Sequence, residues 1–176
     1  MSQPSFDDIV MLLNEYIIYC TLMESLKQKY KHFRMPNFPS EISENIVKFI
    51  IYHKTGHLPT WKTQCGDLVS DGKKIEVKCF ASSGPSTFGP TEKWDEIYFL
   101  DARDYLKKNF KCYKINMNNI EFGNIHINGA QLYSDQCRQG RRPRITFDTI
   151  YKQLGQDKIE LMFDANLSTI HFEMKN

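Results

Sequence analysis

The sequence predicts one α/β domain, a central mixed sheet flanked by helices. Three observations carry this prediction. Two helix-periodic stretches fill residues 5–54, strand-like segments separated by turn residues occupy 66–127, and a helical stretch followed by alternating residues closes the chain. At 176 residues the chain is long enough for one proper core and too short for two, so 1–176 is read as a single unit.

The elements follow in order. Ser5 to roughly Phe33 reads as a long amphipathic helix, with Ser5 as its cap and Asp8 three residues on. Phe6, Ile9, Leu13, Ile17 and Met23 lie near helical spacing, and Lys27, Lys29, Lys31 and Arg34 suit the negative end of the dipole. This helix, within residues 1–35, either packs on its own domain or serves as a dimerisation element. Pro36 and Pro39 break the chain, and Ser40 caps a second helix, Glu41 to Lys54, that Gly56 ends. Ile42, Ile46, Phe49 and Ile50 form its core stripe, with Glu41, Glu44 and Lys48 on the opposite, polar side. Strands are expected at 66–70 and 74–80 around an Asp71-Gly72 turn, then at 96–101, 111–117 and 119–127. Residues 81–91 read as a Gly/Pro/Ser loop and Arg103–Asn109 as a short helix. Thr146 to Leu154 reads as a helix ended by Gly155, and 158–163 with 168–174 as a terminal hairpin.

Composition narrows the function classes. The N-terminus lacks the basic and apolar parts of a signal peptide, and no apolar run is expected to reach bilayer-spanning length, so no membrane role is expected. Five cysteines without a C-x-x-C pair argue against a zinc site and a disulfide framework, and point to free thiols in a reducing cytoplasm. A net charge of +2 neither demands nor excludes a nucleic-acid partner.

The segment Cys65-Gly-Asp-Leu-Val-Ser-Asp-Gly-Lys-Lys-Ile-Glu-Val-Lys-Cys-Phe80 concentrates the chemistry. In a strand, residues i and i+2 share a face. Ile75, Val77 and Cys79 therefore face one way, Glu76 and Lys78 the other, with Asp67 one hairpin earlier. Two carboxylates beside one ammonium suit a divalent-metal phosphodiesterase, because hard cations take oxygen ligands. On spacing alone, the same pattern is also what an exposed hairpin with a solvated Glu/Lys pair would show. Asp71 reads as a turn residue. His53 and His57 have a metal-binding spacing, but Gly56 separates them and no third ligand is evident.

Asp67, Glu76 and Lys78 resemble the Asp…Glu-x-Lys signature of the PD-(D/E)xK nuclease superfamily, to which most type II restriction endonucleases belong. The flanks strengthen it: Gly66-Asp67-Leu68, Ser83-Gly84-Pro85, Phe88-Gly89-Pro90-Thr91-Glu92-Lys93-Trp94, Glu96 to Asp101, and Gly140-Arg141-Arg142-Pro143-Arg144-Ile145. Over roughly residues 40 to 150 the chain resembles small type II enzymes that cut GCNGC-type palindromes. Gly66 stands where the superfamily's name has proline.

The resemblance implies a restriction-endonuclease-like fold, double-stranded DNA as substrate, Mg²⁺ as cofactor, 5′-phosphate products, a homodimer, and a cognate DNA methyltransferase in the host. It assigns Asp67 and Glu76 to the metal and Lys78 to the nucleophile. It also implies an added acid from the preceding helix, where Glu44 is the best positional match and Glu41 the second. Arg138, Arg141, Arg142 and Arg144 are candidate DNA contacts, since arginine reads guanine O6 and N7 as well as phosphate. Ser82, Ser83, Thr87 and Lys93, on the loop after the Glu-x-Lys strand, are further candidates. The competing readings are a repair or junction-resolving nuclease of the same superfamily and a catalytically silent DNA-binding module.

Overall fold

The computed structural model describes residues 3–61 and 67–167. Cys65, Gly66 and the expected strand at 168–174 lie outside them. Helix α1 spans Phe6–Lys29 and begins as expected: the Ser5 hydroxyl accepts from the Asp8 N–H, and the Asp8 carboxylate accepts from the Ser5 N–H. Helix α2 spans Ser40–Thr55. Its cap is Pro39 rather than Ser40, whose hydroxyl turns to Glu41; Gly56, at φ 76°, closes it in the left-handed conformation.

The strands of the main sheet are β1 Thr60–Trp61, β2 Leu68–Ser70, β3 Lys73–Phe80, β5 Glu96–Asp101, β6 Asn109–Ile115 and β10 Ile159–Asn166, with the short β4 at Ser86–Thr87 outside it. Their order is β1-β2-β3-β5-β6-β10, with β3 and β5 parallel and the other pairs antiparallel. The central strand β5 is covered on both faces, which explains its unbroken run Ile97-Tyr98-Phe99-Leu100. One core layer joins α1 and α2 to the sheet through Leu13, Ile46, Phe49, Ile75, Val77 and Leu100. The other face carries Phe88, Trp94, Phe99, Phe122, Phe147 and Ile150. The remaining elements lie between β6 and β10: α3 Asn119–Phe122, β7 His126–Asn128, β8 Gln131–Leu132, α4 Tyr133–Arg138, β9 Arg144–Ile145 and α5 Phe147–Leu154.

Four further expectations change. Residues 119–127 do not form one strand, because the Asn118 side chain accepts from the Ile120 and Glu121 N–H groups and starts α3. The expected helix at 103–109 is a single 3-10 turn, Tyr105–Lys107, stopped by Lys108 at φ 59°. Lys48 is fully buried instead of solvated: its ammonium donates to the Gln3 side chain, and burial holds its pKa below the ordinary lysine value. Helix α1 is also long and apolar enough, by length and composition, to cross a membrane. It reaches that composition by carrying apolar residues on two faces, of which one (Ile9, Leu13, Cys20) is buried in the domain.

Candidate active site

The β2–β3 hairpin sets the site. Asp71 and Gly72 take φ 49° and 76°, the left-handed pair that a tight two-residue hairpin requires. That turn fixes the register Leu68↔Ile75. Just before β2, the Asp67 N–H still donates to the Ile75 carbonyl at 3.0 Å. Two residues further along β3, the Asp67 carboxylate accepts the Val77 N–H at 2.7 Å. That hydrogen bond pins Asp67 between Glu76 and Lys78 along the strand.

Glu76 and Lys78 are not a solvated pair. Glu76 is 4% exposed and the Lys78 side chain 14%, and Lys78 Nζ lies 2.5 Å from Glu76 Oε1. A second acid, Glu92, places Oε2 3.4 Å from the same ammonium. The Phe88 ring completes the setting, 4.9 Å from Nζ at its centroid. Phe88 is itself fixed among Trp94, Phe122 and Tyr133, with centroids 5.3–6.0 Å away.

Charge is unbalanced here. Burial, with Asp67 adding to it, pushes Glu76 up to about 7 despite Lys78. Burial, then Asp67, Glu41 and Glu76, pushes Glu44 up to about 8. Asp67 is raised by burial, against the Val77 hydrogen bond and Lys78. Burial pulls Lys78 down, but Glu76, Glu92 and Asp67 outweigh it and hold the ammonium above its ordinary value. Of the two helix acids, Glu44 is half-buried and its carboxyl is raised by the Asp67 charge, whereas Glu41 is exposed.

This donor set fits a hard divalent cation. Asp67 and Glu76, with Glu44 nearby, offer hard carboxylate oxygens, while Glu92 adds its charge at the Lys78 ammonium. Among the described residues no group of three or more His, Cys, Asp or Glu side chains is placed to hold a metal ion in a protein-only cage. An ion that keeps its waters and uses one or two carboxylates together with substrate phosphate needs no such cage.

The DNA candidates divide. Arg141, Arg142 and Arg144 are exposed and join no ion pair among the described residues, while Arg138 ends α4 and is held by Asp135. Gln136 to Arg138 are therefore helical, and the expected loop begins only at Gln139, with Gly140 at φ 68°. The 81–91 stretch is not a free loop either. Its strand β4 pairs with β9, setting Thr87 opposite Arg144, and the Phe88 N–H donates to the Pro143 carbonyl at 3.0 Å. Ser82 and Ser83 are exposed and line a crevice with Arg103 and Thr146; Lys93 is exposed beside Glu92. A larger cleft of about 540 Å³ opens at the far end of β3, between Met35–Phe38, Cys79–Ser82 and Tyr105.

Glu92 is the residue that sequence reasoning passed over. It stands within the flank that carries the resemblance, but in a Gly/Pro turn with no periodicity to mark it. The histidine pair does not assemble: His57 lies beyond the end of α2, with Asp71 at 3.9 Å. Cys20, Cys79, Cys112 and Cys137 are free thiols.

Comparison with known proteins finds relatives of the sequence. The model of the Bsp6I restriction endonuclease family matches residues 4–154, a wider span than the expected 40 to 150. The type II restriction enzyme Bsp6I of Bacillus sp. (strain RFL6) is 30% identical over 179 residues, covering 96% of this chain and 92% of that enzyme. No solved structure matches the chain.

Proposed function

The chain belongs to the Bsp6I restriction endonuclease family and is a type II restriction endonuclease acting on DNA, and from that premise we propose that it hydrolyses double-stranded DNA at a short palindrome with Mg²⁺. The observation that carries this reading is the buried Lys78 ammonium, 2.5 Å from Glu76 on a strand whose next amide is fixed to Asp67.

Asp67 and Glu76 would hold the cation, with Glu44 at its edge. A bound divalent cation supplies Lewis-acid charge at the scissile phosphate. Lys78, kept protonated by its acidic neighbours, donates hydrogen bonds that orient the attacking water or steady a phosphate oxygen. The water oxygen joins phosphorus as the bond to O3′ breaks, leaving a 5′-phosphate and a 3′-hydroxyl that takes the proton.

Digestion of a fully sequenced phage DNA in Mg²⁺, against EDTA, tests the reading. Discrete Mg²⁺-dependent fragments whose ends share one motif of the GCNGC type are the expected result. Cleavage confined to branched DNA, or binding without any cutting, would sink it. A methyltransferase of the same specificity is expected to protect the host.

The exposed Arg141, Arg142 and Arg144 are the readers in this proposal, with Thr87 beside Arg144; Ser82, Ser83 and Lys93 reach phosphate. Alanine at a guanine-reading arginine should cost about 1–3 kcal/mol and relax one base position, whereas loss of a phosphate contact weakens all sequences alike. Binding assays on single-base variants of the site separate the two. Arg138, already engaged with Asp135, should show the smallest effect of the four.

A palindrome mirrors a two-fold protein. The outer face of α1 suits the second copy, because Met11, Leu12, Ile18, Tyr19 and Leu22 are each at least 45% exposed. Acids Asp7 and Asp8 open the helix and Lys27 and Lys29 close it. An antiparallel pairing centred on Ile18 therefore sets Lys29 opposite the partner's Asp7. Light scattering should give twice the 20.7 kDa chain mass, and Ile18→Glu should halve it. An unchanged mass in that variant would remove α1 from the interface.

A further inference from the structure

Glu92 makes three contacts that the proposed reaction has not yet used. Its carboxylate reaches Lys78 Nζ at 3.4 Å. Its side chain folds back over Gly89 so closely that a Cβ there would stand 2.6 Å from Oε1, 2.8 Å from Cδ and 2.9 Å from Cγ. Real Cβ atoms do not approach other atoms so closely, so only the bare glycine Cα leaves room for this conformation. The turn is closed by the Glu92 N–H, which donates to the Gly89 carbonyl at 3.4 Å.

The segment that carries Glu92 is anchored at its start. Phe88 is buried under Lys78 and hydrogen-bonded to Pro143, and Ser86 and Thr87 pair with Ile145 and Arg144. Carboxylate and ring thus reach Lys78 from one short, fixed piece of chain. Glu76 cannot serve as the only anchor, since in the proposed reaction it also holds the cation. A second carboxylate that takes no part in that duty keeps the ammonium in place.

We infer that Glu92 is a positioning residue for Lys78, seated by the missing side chain of Gly89. The inference rests on Lys78 being catalytic, and the experiment separates the two ideas. Glu92→Gln, Gly89→Ala and the double variant are compared with Lys78→Ala in single-turnover cleavage, with duplex affinity measured in Ca²⁺. Glu92→Gln is expected to slow cleavage on the order of 10²-fold, the scale of an ångström-level misplacement. Duplex affinity should stay within about twofold, and the half-saturating Mg²⁺ concentration should not move.

Gly89→Ala should reproduce that loss. Gly89 does not require a positive φ, and the added methyl meets only a flexible side chain, so thermal unfolding should change little. The double variant should be no slower than either single one, because both remove the same contact. Wild-type rates in Glu92→Gln or Gly89→Ala overturn the inference, as do losses that multiply. A shift of about tenfold in the Mg²⁺ requirement of Glu92→Gln would instead make it a cation ligand. If Lys78→Ala itself keeps turnover, the catalytic reading of Lys78 fails first. If Glu92→Gln does not fold, Gly89→Ala alone decides.

Discussion

Lys78→Ala is expected to abolish cleavage while specific duplex binding in Ca²⁺ persists. In the proposed reaction the ammonium faces the developing charge, and loss of one such donor in a water-poor site typically costs on the order of 10²–10³ in rate. Here the loss should lie at or beyond the upper end, because among the described residues no other cation pairs with Glu76. The variant also leaves a buried Glu76 without its counter-charge, a change that destabilises unless the carboxyl takes a proton. Burial already raises Glu76 to about 7, so it is poised to do so, and the fold should survive. Circular dichroism and a binding isotherm on the same preparation establish that. Turnover within tenfold of wild type would remove Lys78 from the reaction.

Asp67→Asn is expected to weaken cation binding by more than the roughly 10–100-fold typical of losing an outer partner of a metal ligand. The substitution is a clean probe. The asparagine carbonyl oxygen can still accept the Val77 N–H that the carboxylate accepts at 2.7 Å, so the strand keeps its anchor while the charge is lost. Asp67→Ala would remove both and confuse them. Titration of cleavage against Mg²⁺, with isothermal titration of the cation itself, reads the effect. An unchanged Mg²⁺ requirement would exclude Asp67 as a ligand and leave it a structural role in the ladder.

These two expectations differ from the arginine effects in kind. In the proposed reaction Asp67 and Lys78 act on the chemical step, so their loss should leave DNA binding largely intact. In the same proposal the arginines act on binding, and each reader on one base position. The β4–β9 pairing brings the two groups close, since Thr87 stands opposite Arg144 and the adjacent Phe88 lies over Lys78.

Much of the site was legible because its members are neighbours in the chain. Glu76 and Lys78 lie two residues apart on one strand, where pleat geometry alone puts them on one face. The Asp71-Gly72 turn is equally local, and it carries Asp67 back to Val77 by register. The capping of α1 by Ser5 and Asp8 and the ending of α2 at Gly56 were readable for the same reason: each depends on hydrogen bonds within four residues. The Asn118 to Glu121 box that starts α3 was equally local and was missed, because alternating apolar residues around it suggested a strand.

The sequence by itself determined the α/β class, the two leading helices, the hairpin and the shared face of Glu76 and Lys78, all consequences of covalent spacing; reading these two with Asp67 as a site took the family resemblance. The tertiary structure alone decided that Glu76 and Lys78 are buried, that Lys48 is buried against the N-terminal segment, that Glu44 is half-buried while Glu41 is exposed, and that Glu92 reaches Lys78. Each of those depends on which distant segments pack together. The pairing responsible for the last, β4 with β9, is two residues long on each side, too short to leave a periodic trace in the sequence.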